Sequence, residues 1–193
     1  STDGGETWYA PMLPISQLYH VAADSSVPYR VFGAMQDLGT ASGPSNSLSW
    51  AGITHGDWHT VGGGEAGHAV ADPSDPNVVY GESQDGRMSR IDRNTNERQV
   101  VRPEPAELKP GDTTGQYRFN WDTAMQLSPF DPATIYIGAN LVLKSSDRGR
   151  SYQPISPDLT TNSDREALSI MGVAGKDINI AKHDGVGSFG NIV

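Results

Sequence analysis

Apolar positions in this chain come in short bursts of four to six residues, cut by Gly, Pro, Asp and Asn. The best-resolved stretch is 67–101. Gly67–Asp72 alternates and reads as a strand, and Asp72-Pro73-Ser74-Asp75-Pro76-Asn77 is a turn dense in breakers. Val78-Val79-Tyr80-Gly81 is β-branched and aromatic, the composition of a central strand. Arg87–Ile91 reads as a third strand, Arg93-Asn94-Thr95-Asn96 as a polar turn, and Arg98–Val101 as an outer strand that Pro103 and Pro105 end. The same order follows later: Trp121–Leu127, Thr134–Gly138, Leu141–Ser145 and Tyr152–Ile155. The polar stretch Asp158–Glu166 reads as a loop with room for one helical turn, and helix content should be low.

These bursts repeat. Asp24 through Gly33 aligns with Asp72 through Gly81 at an offset of 48 residues, and Gln36-Asp37 falls on Gln84-Asp85 at the same offset. A third copy is Ser128-Pro129-Phe130-Asp131-Pro132 followed by Ile135-Tyr136-Ile137-Gly138. A period near 50 residues with four strands per unit is that of a propeller blade. The expected fold is all-β: a segment of about three to four blades of a β-propeller. Blades are expected at about 17–65, 66–105 and 119–157, with half blades at 1–15 and 168–193. A closed propeller needs at least four blades, so the chain is expected to be part of a longer protein or to associate with itself.

Two further segments share one pattern, Ser-x-Asp-x-Gly-x-x-aromatic. They are Ser1, Asp3, Gly5, Trp8 and Ser145, Asp147, Gly149, Tyr152. Asp closes a turn onto its own backbone, Gly supplies positive φ, and the aromatic starts the return strand. This is the Asp-box hairpin of one class of propeller, and its role is structural. Around it, Gly62-Gly63-Gly64-Glu65-Ala66-Gly67, Tyr117-Arg118-Phe119-Asn120-Trp121 and Ile155-Ser156-Pro157-Asp158-Leu159-Thr160 resemble large bacterial Asp-box (BNR-type) repeat proteins, the sortilin-like or glycosyl-hydrolase-like family. So do Tyr19 through Asp24 and Tyr29 through Gly33, so the resemblance covers nearly the whole chain. It implies a secreted or periplasmic bacterial propeller within a longer polypeptide. It does not fix an activity, because a shared fold does not carry function. The chain departs from the related enzymes and receptors. It offers no sialidase arginine triad with a Tyr–Glu pair, no xyloglucanase-type catalytic Asp context and none of the cysteines of a sortilin-type module.

Composition narrows the classes. The formal net charge of −9 argues against nucleic acid as a partner. No apolar run approaches the length of a membrane span. With no cysteine, disulfides, thiol catalysis and Cys-ligated metals are excluded. No cofactor is expected, and Gly62-Gly63-Gly64 lacks the strand–helix context of a phosphate loop.

Four places offer chemistry. In an extended segment His55, Asp57 and His59 would share a face and suit a metal; in a loop they would not. Glu65 and His68 lie in the Gly-rich stretch leading into an inner strand, where a ligand would approach the propeller mouth. Arg118, Trp121 and Asp122 hold the equivalent place in the next repeat, with a carboxylate-binding guanidinium and a stacking face. Glu65 and Asp122 are also the candidate pair of glycosidase carboxylates. The tail residues His183 and Asp184 sit at a turn, and His20 is placed in a packing layer. The leading expectation is a binding or scaffold module for a glycan or peptide. The alternatives are a glycoside hydrolase with carboxylates partly outside this segment, and a structural protein assembling through blade edges.

Overall fold

A computed structural model describes residues 1–10, 15–62, 64, 65, 67–104, 116–178 and 190–193. The described chain is all-β, with three four-stranded antiparallel sheets, each a simple meander. The first contains β1 (Leu18–Ala23), β2 (Arg30–Met35), β3 (Gly39–Pro44) and β4 (His59–Thr60). The second contains β5 (Ala69–Asp72), β6 (Asp75–Ser83), β7 (Arg87–Asp92) and β8 (Arg98–Val100). The third contains β9 (Met125–Leu127), β10 (Ile135–Gly138), β11 (Val142–Ser145) and β12 (Gln153–Pro154). A small ribbon, β13 (Ser169–Ile170) with β14 (Val173–Ala174), follows. The described helical pieces are single 3-10 turns, and among the described residues no helix is long and apolar enough to cross a membrane.

The packing follows from the period of two. Along β6, Val79 turns to one face and joins Phe32, Val61 and Ala69. Val78 and Tyr80 turn to the other and join Met88, Met125, Leu127, Ile135, Ile137 and Leu143. The second sheet is therefore buried on both faces, between the first and the third. Each fully buried aliphatic or aromatic side chain contributes about 1.5–3 kcal/mol.

Turn chemistry repeats with the sheets. Asp24 Oδ1 accepts from the backbone N–H of Ser26 (3.2 Å) and Arg30 (2.8 Å), and Asp72 Oδ1 accepts from that of Ser74 (2.8 Å). The two Ser-x-Asp-x-Gly segments form one hydrogen-bond circuit. Ser1 Oγ donates to Asp3 (2.8 Å) and accepts from Gly5 N–H (2.8 Å); Ser145 Oγ donates to Asp147 (2.8 Å) and accepts from Gly149 N–H (2.9 Å). Thr7 and Ser151 then donate to the aspartates from backbone and hydroxyl alike. Gly149 is required twice over, because its φ is +84° and a Cβ would lie 2.8 Å from Val101. The aromatics diverge. Tyr152 packs beneath the turn and donates its hydroxyl to Val101 O, just past β8 (2.9 Å), whereas Trp8 is 79% exposed and donates its indole N–H to Gly5 O (3.2 Å).

The strand expectations meet the observed strands to within a few residues. The largest difference is β9, expected from Trp121 but starting at Met125. Asn120 causes it: its side chain accepts from Asp122 N–H (2.9 Å) and its carbonyl from Thr123 Oγ1 (2.8 Å), which holds 120–123 as a turn.

Candidate functional site where three sheets meet

The first strand of one sheet and the segments that lead into the first strands of the other two bring three polar side chains to one place. His20 in β1 precedes Val21, which pairs with Gly33; His68 precedes Ala69, which pairs with Gly81 in the same register of the second sheet. The two imidazoles stack with centroids 4.0 Å apart and planes at 12°. Asp122, in the turn before β9, places Oδ2 2.8 Å from His20 Nε2. One nitrogen or oxygen from each of the three residues lies within 4.8 Å of the others.

Electrostatics differ across the cluster. Burial pushes the His68 imidazole below its ordinary value; a charge on His20 adds to this and Asp122 opposes it, so His68 is neutral at neutral pH. Beneath them Glu82 is 1% exposed. Its backbone N–H donates to His68 O (2.8 Å) and its Oε1 accepts from Thr123 N–H (3.3 Å). Burial pushes the Glu82 carboxyl up to about 9, partly offset by that hydrogen bond and reinforced by Asp122. Glu82 Oε2 and Asp122 Oδ1 are buried with no hydrogen-bond partner among the described residues. His68 also forms one wall of a cleft of about 310 Å³, otherwise lined mainly by apolar atoms of residues that include Gln126, Tyr136, Val142 and Ile192.

The residues singled out from the sequence fare differently. His68 and Asp122 come together, joined by His20. The expectation that His20 lies in a packing layer is corrected: its side chain is 43% exposed and paired with Asp122. The signal was in the repeat, because the offset of 48 that aligns Asp24 with Asp72 also sets His20 on His68.

Glu65 is a tie between sheets. Its carboxylate accepts from Gln36 and Asp37 N–H (2.8 Å) at the β2–β3 turn and from Gln84 (3.3 Å) after β6. Those partners include the repeated Gln36 and Gln84. Arg118 is similarly engaged, donating to Gly190 O (2.9 Å), Asp158 (2.9 Å) and Thr160 (2.7 Å). Trp121 is half-buried and gives its carbonyl to Asp85 N–H (3.4 Å).

The extended reading of His55, Asp57 and His59 is corrected by a 3-10 turn over His55–Asp57. Thr54 explains the turn, since its backbone N–H (2.7 Å) and hydroxyl (2.9 Å) both donate to Asp57. Strand alternation therefore does not align the three. His183 and Asp184 lie outside the described residues.

Comparison with protein-family models and with curated proteins found no match to this chain.

Proposed function

We propose that the three sheets are blades of a β-propeller and that the chain is an extracytoplasmic binding module, taking a glycan or peptide where the first strands meet. The observation that carries this reading is the convergence of His20, His68 and Asp122 from three successive sheets beside the His68 cleft. The cleft has the volume and apolar walls of a small-ligand site, and the cluster supplies the few polar groups that orient a ligand. His68 offers a neutral imidazole, and Tyr136 a ring for stacking on a sugar face. The repeated meanders support the propeller, and the extracytoplasmic setting rests on the sequence resemblance. A glycan array and a peptide array, each read with wild type and Gln126→Ala, test the proposal. Wild type should retain at least one ligand and the variant should weaken it. Absence of any ligand, or equal retention by the variant, contradicts it.

A second reading, glycoside hydrolysis, has one observation in its favour. Glu82 is held protonated near Asp122, the split that acid catalysis by paired carboxylates uses. The burial of Glu82 weighs against it. Release of reducing ends by wild type but not Glu82→Gln would favour hydrolysis over binding alone.

A further inference from the structure

We propose that His20, His68 and Asp122 form a binding site for a divalent first-row metal ion of the zinc class, stapling three successive sheets together. The inference rests on the reading of this edge as the ligand site, and adds to it the group that would engage the ligand.

The donor set comes first. Two imidazoles and one carboxylate are nitrogen and oxygen ligands of intermediate softness, which suit zinc, cobalt or nickel better than calcium or magnesium. Three protein ligands leave an open position, as in zinc sites that also engage a ligand or water. The exposed side of His20 gives that position access to solvent.

The second observation is independent of the histidines. Among the described residues, Asp122 Oδ1 is buried without a donor. A buried carboxylate oxygen left unpaired is costly. The His20–Asp122 contact uses only Oδ2 and leaves Oδ1 unexplained. A cation between Asp122 and the imidazoles supplies what Oδ1 lacks.

The geometry requires one adjustment. Tetrahedral zinc with bonds of about 2.0–2.1 Å sets its ligand atoms roughly 3.3 Å apart. The present atoms lie within 4.8 Å of one another, and the two rings are parallel. Side-chain rotation that unstacks one ring closes the gap, and the half-exposed His20 is the ring to turn, its contact with Asp122 Oδ2 giving way to the cation.

The test is calorimetric titration of zinc chloride into chelator-stripped protein, with His68→Ala, Asp122→Asn and the control His59→Ala. Wild type and His59→Ala should bind one equivalent. The other two should bind more than about 100-fold more weakly, beyond the cost of losing an outer-layer partner. No zinc binding by wild type, or equal binding by all four proteins, overturns the proposal. Should a variant fail to fold by circular dichroism, X-ray absorption on zinc-loaded wild type decides. Two imidazoles in the first shell support the site, and fewer overturn it. Ligand retention measured in chelator separates the two readings. Retention without zinc binding sinks the metal alone, whereas zinc binding without any retained glycan or peptide sinks the binding reading alone.

Discussion

Arg148, in the turn that follows β11, reaches across to the carboxylate of Asp72 at the end of β5 in the neighbouring sheet. Asp72 is 1% exposed. One of its oxygens closes its own turn on Ser74, and the other receives the guanidinium. The second sheet has no such pair at the corresponding turn among the described residues: burial and then the charge of Arg30 push Arg93 below its ordinary value, and Asp24, the counterpart of Asp72, only partly opposes them.

Removing Arg148 leaves a buried carboxylate without its cation. Arg148→Ala should destabilise the fold by about 1–3 kcal/mol, below the full cost of breaking a buried pair because the arginine is one-third exposed. Urea unfolding measures this. Adding Asp72→Asn should recover part of the loss, since the two changes share one interaction.

Asp147 gives an acid-limb prediction. Hydrogen bonds from the Ser151 hydroxyl and backbone, then from Ser145, hold its carboxyl down at about 2, against an ordinary 3.8. A depressed folded-state value means that the stabilisation is present above the unfolded value and lost as pH falls through the folded one. The urea midpoint should therefore drop between about pH 4 and pH 2, and Asp147→Asn should flatten that drop.

Glu82 predicts the opposite slope. Its carboxyl is raised to about 9 from an ordinary 4.5. The folded state keeps a proton that the unfolded chain releases, so stability is full below the unfolded value and falls as pH rises toward the folded one. In metal-free buffer the midpoint should decline from about pH 5 to pH 9. Glu82→Gln, neutral throughout, should remove that decline and be the more stable protein at pH 8, by on the order of a few kcal/mol at most.

Gly67 sits directly against this carboxylate. Its φ is +89°, and a Cβ there would lie 1.4 Å from Glu82 Oε2. Gly67→Ala should cost more than about 2 kcal/mol in urea unfolding, because both backbone and neighbour resist. A loss below about 1 kcal/mol would mean that Glu82 does not occupy the place described.

The strands were legible because hydrophobic alternation and breaker-dense turns are local signals. Thr134–Gly138 and Leu141–Ser145 were expected, and Ile135–Gly138 and Val142–Ser145 form. The site was legible only in part. His68 and Asp122 stood out by type and position, but their junction with His20 depends on how sheets stack, which no short window contains. Glu65 and Arg118 show the converse. Both carry reactive groups in promising loops, and both are occupied by donors or acceptors distant in sequence. The 55–59 segment was open between strand and loop, and the Thr54–Asp57 hydrogen bonds decided for a turn.

Successive sheets stack so that His20, His68 and Asp122, in or just before the first strand of each, come together. The most direct measurement is a nuclear Overhauser spectrum of selectively histidine-labelled protein. With ring centroids 4.0 Å apart, metal-free wild type should give a strong cross-peak between the ring protons of His20 and His68, lost in His68→Ala. A folded protein without that cross-peak would contradict the account.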